Sequence, residues 1–236
     1  MTVQQIINEV RYCIDEESSN RAMFSGSPDD ITMDHIIASK IKDAIVWLAL
    51  HAPAELLYNT QQASTGQNII PLEFIFQYDL TSSGIQPLVV TTETTHASIQ
   101  MPADFVRLTR IRCSGWSRAV RTPIEEDSAE YLQLSESVVN ATNDRPQAAI
   151  VRTKIPVIEA WPYAAPASLT IVKLPDALTT VDFTQVSNYD IGLPKQTVSA
   201  FIYYIAFLVL SAYNDTKAKS MLEIAKGCLG DVNAKS

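Results

Sequence analysis

Three groups of residues in this chain could do chemistry: the acids of Glu125-Glu126-Asp127, three histidines, and the arginines gathered between Met101 and Arg121. Adjacent carboxylates offer oxygen ligands to a divalent cation, but Glu125-Glu126-Asp127 lacks the glycine turn and the regular spacing of a calcium loop. It reads as a solvated or arginine-paired cluster, and a metal-dependent enzyme built on it is an alternative function. His35, His51 and His96 each lack a second histidine at metal-ligand spacing and read as structural residues. The sequence has no G-x-S-x-G elbow, no glycine-rich phosphate loop and no H-E-x-x-H. With seven glycines in 236 residues, backbone cradles are scarce. These residues give no catalytic, cofactor or metal site, and the chain reads as a non-enzyme.

The arginines are the denser signal. Met101 to Arg121, MPADFVRLTRIRCSGWSRAVR, holds Arg107, Arg110, Arg112, Arg118 and Arg121, five of the nine in the chain, with no acid between Phe105 and Ile124. Ser114-Gly115 between two strand-like runs predicts a hairpin, because glycine tolerates the positive φ of a tight turn. With Cys113 facing Trp116, alternation puts Phe105, Thr109, Ile111, Cys113, Trp116 and Val120 on one face. Val106 and Leu108, then Arg110 and Arg112, fall on the other. Arg110, Arg112, Trp116, Arg118 and Arg121 are the candidate interface residues, since arginine and tryptophan are enriched where interfaces carry their energy. The alternative is that the arginines are the solvated ends of a sheet. Aromatic residues interleaved with arginine could also stack on single-stranded nucleic acid, which gives a second alternative function. A net charge of −8 opposes a broad phosphate-holding surface and points to docking on another protein.

The elements around this stretch follow from hydrophobic periodicity. Hydrophobic residues make up 47% and charged residues 19%, as in a folded globular chain with a substantial core. Val3, Ile6, Ile7, Val10 and Ile14 predict an amphipathic helix over 2–18, with Thr2 as a cap. A second helix carries Ile37, Ile41, Ala44, Ile45 and Leu48, capped by Ser27 before Pro28 or by Thr32. A third, short one follows Ala52, with Pro53 in its first turn and Leu56 and Leu57 inward. Strands are predicted over 72–80, 86–92 and 96–101, then 147–153, 155–161 and 168–174. Pro156, Pro162 and Pro166 put the last three at sheet edges or end them there. Residues 128–134 predict one or two helical turns. Asp176 to Pro194 is a long aperiodic connection of the kind that is functional or ordered by a partner. A helix over 195–213 is apolar nearly all round, so it is central to a bundle or covered by a neighbouring subunit. Its most hydrophobic part, Ala200 to Tyr213, is about 14 residues, short of a membrane span. Asn214-Asp215 ends it, and a last helix over 216–229 turns Met221, Leu222, Ile224, Ala225, Cys228 and Leu229 inward. Cys13, Cys113 and Cys228 suggest neither a disulfide framework nor a zinc site, and read as free buried thiols.

Helices, then strands, then helices predict an α+β fold. The organisation expected is a helical bundle from 1–68 together with 193–236, and a central β-strand-rich insertion over 69–192. This order, with Pro102, Asp104, Phe105, Arg107 and Leu108 followed by Trp116 and Arg118, resembles the head-tail connector or adaptor proteins of tailed bacteriophages. The resemblance implies a structural, non-enzymatic virion protein without cofactors. It implies a homo-oligomeric ring, commonly a dodecamer, in the neck, bound to the portal protein and to a downstream tail or neck protein. The ring would extend the channel through which genomic DNA passes without sequence-specific binding. The implied location is the virion neck after assembly in the host cytoplasm, with no membrane contact and with the C-terminal part reaching toward the portal.

Overall fold

The structure is a computed structural model. It describes residues 1–14, 32–58, 68–80, 88–93, 96–136 and 141–230. The expected cap at Ser27-Pro28, most of the polar loop over 61–68 and the tail after Gly230 lie outside the described residues. Helices and strands are both present, so the fold is mixed α+β. The chain divides into two compact units, one of Met1–Phe74 with Leu174–Ser236 and one of Ile75–Lys173.

In the first unit, helix α1 spans Val3–Cys13. Thr2 Oγ1 accepts from the Gln5 N–H at 3.1 Å, and Gln5 Oε1 accepts from the Thr2 N–H at 2.8 Å. This capping box satisfies two amides that the first turn would otherwise leave without partners. Val3, Ile6, Ile7 and Val10 are buried along one stripe. The second predicted helix is two: α2, Met33–Ser39, capped by Thr32, and α3, Ile41–His51. The break falls at Lys40, whose N–H bonds to Ile37 three residues back rather than four. After Pro53 a single 3-10 turn, Ala54–Leu56, replaces the expected third helix; Leu57 beyond it is fully buried. Helix α6, Val198–Ala212, touches α1, α2, α3 and α7, the last spanning Ala218–Cys228. Phe201, Ile205, Ala206 and Val209 of α6 are fully buried. Each large side chain so placed contributes roughly 1.5–3 kcal/mol through area removed from water. Tyr204 of α6 stacks on Trp47 of α3 at 4.2 Å between centroids.

The 18 residues Lys195–Ala212 form a helical stretch that is long and apolar enough to cross a membrane, longer than the expected apolar core. Seven of the residues of α6 are buried in this unit. Asn214 ends the α6 region in the left-handed conformation (φ +54°), which asparagine accepts more readily than most residues. In α7 the inward stripe is narrower than expected. Ala218, Ala225 and Leu229 are buried, Met221 and Leu222 half-buried, and Ile224 and Cys228 exposed.

The 176–194 connection, expected to be functional or ordered by a partner, is ordered by this chain. It holds a short helix α5, Ala177–Thr180, and strand β10, Asp190–Gly192. Strand β10 pairs in parallel with β1, Ile69–Pro71. The N–H groups of Val3 and Gln4 donate to Tyr189 and Ser187 carbonyls, and the Met1 amino group pairs with the Asp190 carboxylate. The unit boundaries accordingly differ from those expected at 68/69 and 192/193, since β1 and β10 belong with the helices.

The second unit is a sandwich of two sheets. One has the order β2-β9-β5: β2, Ile75–Leu80; β9, Ala167–Lys173; β5, Phe105–Cys113. The other has the order β3-β4-β8-β7-β6: β3, Val90–Thr92; β4, Ala97–Gln100; β8, Val157–Trp161; β7, Gln147–Val151; β6, Ile124–Glu125. Leu108, Ile111, Leu169 and Ile171 of the first sheet pack with Ile99, Ile150 and Ile158 of the second in one core. Helix α4, Ala129–Ser135, capped by Ser128, covers the far face of the five-stranded sheet with Leu134 on Ala149 and Trp161. Strands β8 and β9 are interior rather than edge strands. Pro156, Pro162 and Pro166 stand just outside the strand ends, where no ladder hydrogen bond is lost.

Candidate interaction surface

The Ser114-Gly115 turn forms, but the hairpin does not. Cys113 O accepts from the Trp116 N–H at 3.2 Å around Gly115, whose φ of +79° suits glycine and strains any residue with a Cβ. Beyond Trp116 the chain meets β5 only at Val120, which exchanges two hydrogen bonds with Ile111. Strand β5 instead pairs along its length with β9. The return segment Ser117-Arg118-Ala119 has no large apolar side chain to bury, whereas β9 brings Leu169 and Ile171 across from Ile111 and Leu108.

That pairing contains two irregularities, one between Phe105 and Arg107 and one between Leu108 and Arg110. Each is an extra residue in β5, Val106 and then Thr109, and each reverses the alternation that follows. Leu108 therefore shares the core face with Ile111 and Cys113, and Arg107 joins Arg110 and Arg112 on the outer face, opposite Val172, Thr170 and Ser168 of β9. The expected assignment of Leu108 to the arginine face is corrected by the Thr109 bulge. Gln77 and Asp79 of β2 share that outer face, Asp79 in the same row as Ser168 and Arg112. At the end of the row Arg112, Asp79, Ser114 and Ser168 line an open cleft of about 450 Å³. No single-sequence signal marks the two bulges, so the placing of Arg107 on this face, and Asp79 altogether, escaped the sequence reading.

Trp116 is not a surface residue. It is 2% exposed, belongs to the core of the sandwich, and its indole N–H donates to the Pro162 carbonyl at 2.7 Å. Its expected role as a contact residue is corrected to that of a core anchor. Arg110, Arg112, Arg118 and Arg121 are all exposed. They are not one cluster. Arg118 and Arg121 line a separate shallow cleft of about 370 Å³ with Glu130 and Gln147. Among the described residues none of the four has an acid within ion-pair distance, whereas Arg11, Lys40, Arg152 and Lys173 all do. Of the shared run, Asp104 bonds Lys173 at 2.8 Å, and Phe105 and Leu108 pack on the core.

Two of the three acids of the metal hypothesis are engaged by Arg152. Glu125 pairs with the Arg152 guanidinium at 3.3 Å, and Glu126 accepts from the Arg152 N–H at 2.6 Å. Among the described residues no three His, Cys, Asp or Glu side chains converge as metal ligands. His51 stacks on Trp47 and contacts its carbonyl, and His96, just before β4, stacks on Trp161. Against the Trp161 edge, Tyr131 donates to Glu159 at 3.1 Å, and burial together with the Glu159 charge pushes its phenol up to about 12.

Only one of the three cysteines is buried as expected. Cys113 is enclosed, Cys13 intermediate and Cys228 exposed. Burial pushes the Cys113 thiol up to about 11 from 9.0. The protonated thiol is thus favoured by folding, and this group's contribution to stability is lost as pH rises from 9 through 11. In native protein at pH 8, a maleimide should modify Cys228 within minutes and leave Cys113 untouched until urea is added, as read by peptide mass. Rapid native labelling of Cys113 would contradict its enclosure.

The sequence matches no protein-family model and no curated protein.

Proposed function

We propose that this chain is a structural protein of a tailed-phage neck. It forms a ring, commonly of twelve copies, that joins the portal to a downstream tail or neck protein and extends the DNA channel. In this reading the N- and C-terminal regions make a helical bundle and the β-rich part is a central insertion in the chain. The observation that carries the proposal is the set of four exposed arginines with no acid at ion-pair distance among the described residues, on a chain of net charge −8. Guanidinium groups held this way on a rigid sandwich suit a protein partner better than a phosphate backbone that the rest of the chain repels. The order of elements and the Pro102 to Arg118 pattern support the same family reading. Light scattering and negative-stain images of the purified protein, alone and with portal protein, should show closed rings. Monomers under both conditions would sink the proposal.

A further inference from the structure

A closed ring of identical chains needs two different patches on each chain that fit one another. Charge is divided between the two units in a way that supplies such a pair. Residues 1–74 with 174–236 hold nine Lys and Arg against sixteen Asp and Glu, a formal −7; residues 75–173 hold nine against ten, a formal −1. Within the nearly neutral unit, the two bulges of β5 collect Arg107, Arg110 and Arg112 on one sheet face, with Arg110 and Arg112 exposed. Bulges cost ladder hydrogen bonds and commonly serve to re-aim side chains.

On the acidic unit, the exposed helical acids differ in their surroundings. Asp43 lies 3.9 Å from Lys40, and Glu223 sits one turn from both Lys219 and Lys226 on α7. Glu9 of α1 has no ion pair among the described residues. It stands on the outward stripe Gln5, Asn8, Glu9 and Tyr12, and Tyr12 is 83% exposed. A carboxylate flanked by carboxamides and an open aromatic face is what a guanidinium binds best, through paired hydrogen bonds and stacking. The spacings also agree. Two residues along a strand separate Arg110 from Arg112 by roughly 7 Å, and one helical turn separates Gln5 from Glu9, or Glu9 from Tyr12, by roughly 5–6 Å.

We infer that the arginine row of β5 docks on the outward stripe of α1 in a second copy of this chain, with Arg110 and Arg112 against Glu9 and its neighbours. The inference rests on the ring reading and names the two faces that make the ring's contact. In the ring the contact is head-to-tail, one copy's arginine row against the next copy's α1, and it closes when the rotation between neighbours divides a full turn.

The test uses the full chain in four forms: wild type, Arg110→Glu with Arg112→Glu, Glu9→Arg, and all three together, each compared by sedimentation with and without portal protein. Either one-sided reversal should weaken self-association at least ~100-fold, as like charges meet. The triple variant should restore rings, since both faces are reversed together. Circular dichroism checks folding, and Arg110→Gln with Arg112→Gln replaces the reversal should that variant fail to fold. Rings from the arginine variants would overturn this contact and leave the ring reading intact; a monomeric wild type would overturn both. Loss of rings in both one-sided variants without rescue in the triple would overturn α1 as the recipient. Salt-sensitive DNA binding that vanishes in the arginine variants while rings persist would assign the row to nucleic acid instead.

Discussion

Trp116→Ala should destabilise the protein by about 3–5 kcal/mol, the range for removing a large aromatic side chain from a packed core. Trp116 belongs to the same buried core as Cys113, Ile111 and Ala167 within the sandwich. Its backbone closes the turn on Cys113, and its indole N–H holds the Pro162 carbonyl. The substitution therefore opens a cavity and leaves that carbonyl without its donor. Trp116→Phe separates the two effects: most of the volume stays, the hydrogen bond goes, and the expected cost falls to about 1–2 kcal/mol. Arg118→Ala and Arg121→Ala, exposed and without ion pairs among the described residues, should each lie within about 0.5 kcal/mol of wild type. Urea denaturation followed by circular dichroism reads all four. A Trp116→Ala protein of unchanged stability but impaired assembly would return this residue to the surface and refute its core placement.

A smaller loss is expected in the other unit from Asp34→Ala. The Asp34 carboxylate bonds the Arg11 guanidinium at 2.6 Å, joining α1 to α2, and the arginine side chain is only 7% exposed. Arg11 makes a further interaction, so the guanidinium is not left alone when this carboxylate goes. The cost is then that of one hydrogen bond to a charged group, about 1.5–3 kcal/mol. Asp34→Asn, which still accepts from the guanidinium, should cost less. The same urea titration reads these variants. If Asp34→Ala unfolds at the wild-type midpoint, the guanidinium has found water and the pair contributes nothing.

The sequence is most legible where structure is local. Thr2 and Thr32 are caps because a hydroxyl three residues ahead of an amide needs nothing else, and Asn214 marks a helix end for a similarly local reason. The apolar stripes of α1 and α6 follow from spacing alone. What stays hidden depends on distant partners. Strand β5 meets β9 across more than fifty residues, and β1 meets β10 across more than a hundred, so no window of sequence contains either pairing. The candidate surface suffers most. A one-residue bulge exchanges inside for outside, so a strict reading of Val106, Leu108, Arg110 and Arg112 groups a core leucine with surface arginines. Residue type identified Arg110 and Arg112 as exposed, but only the paired strands reveal that Arg107 and Asp79 share their face. Trp116 misled in the opposite direction, since an aromatic residue beside arginines suits an interface and a core anchor equally.

The pairing of Ile75 with Val172 has one more consequence. These residues lie at the entrance and near the exit of the second unit, so the chain leaves and returns at neighbouring positions roughly 5 Å apart. The intervening stretch is a self-closing loop, and the entropy of joining its ends is met by its own ladder rather than by the helices. Folding of the sandwich can therefore proceed as a local event, and variation in its loops can accumulate without lengthening the tether that the helical unit must span. The second unit is thus entered and left on one pair of neighbouring strands.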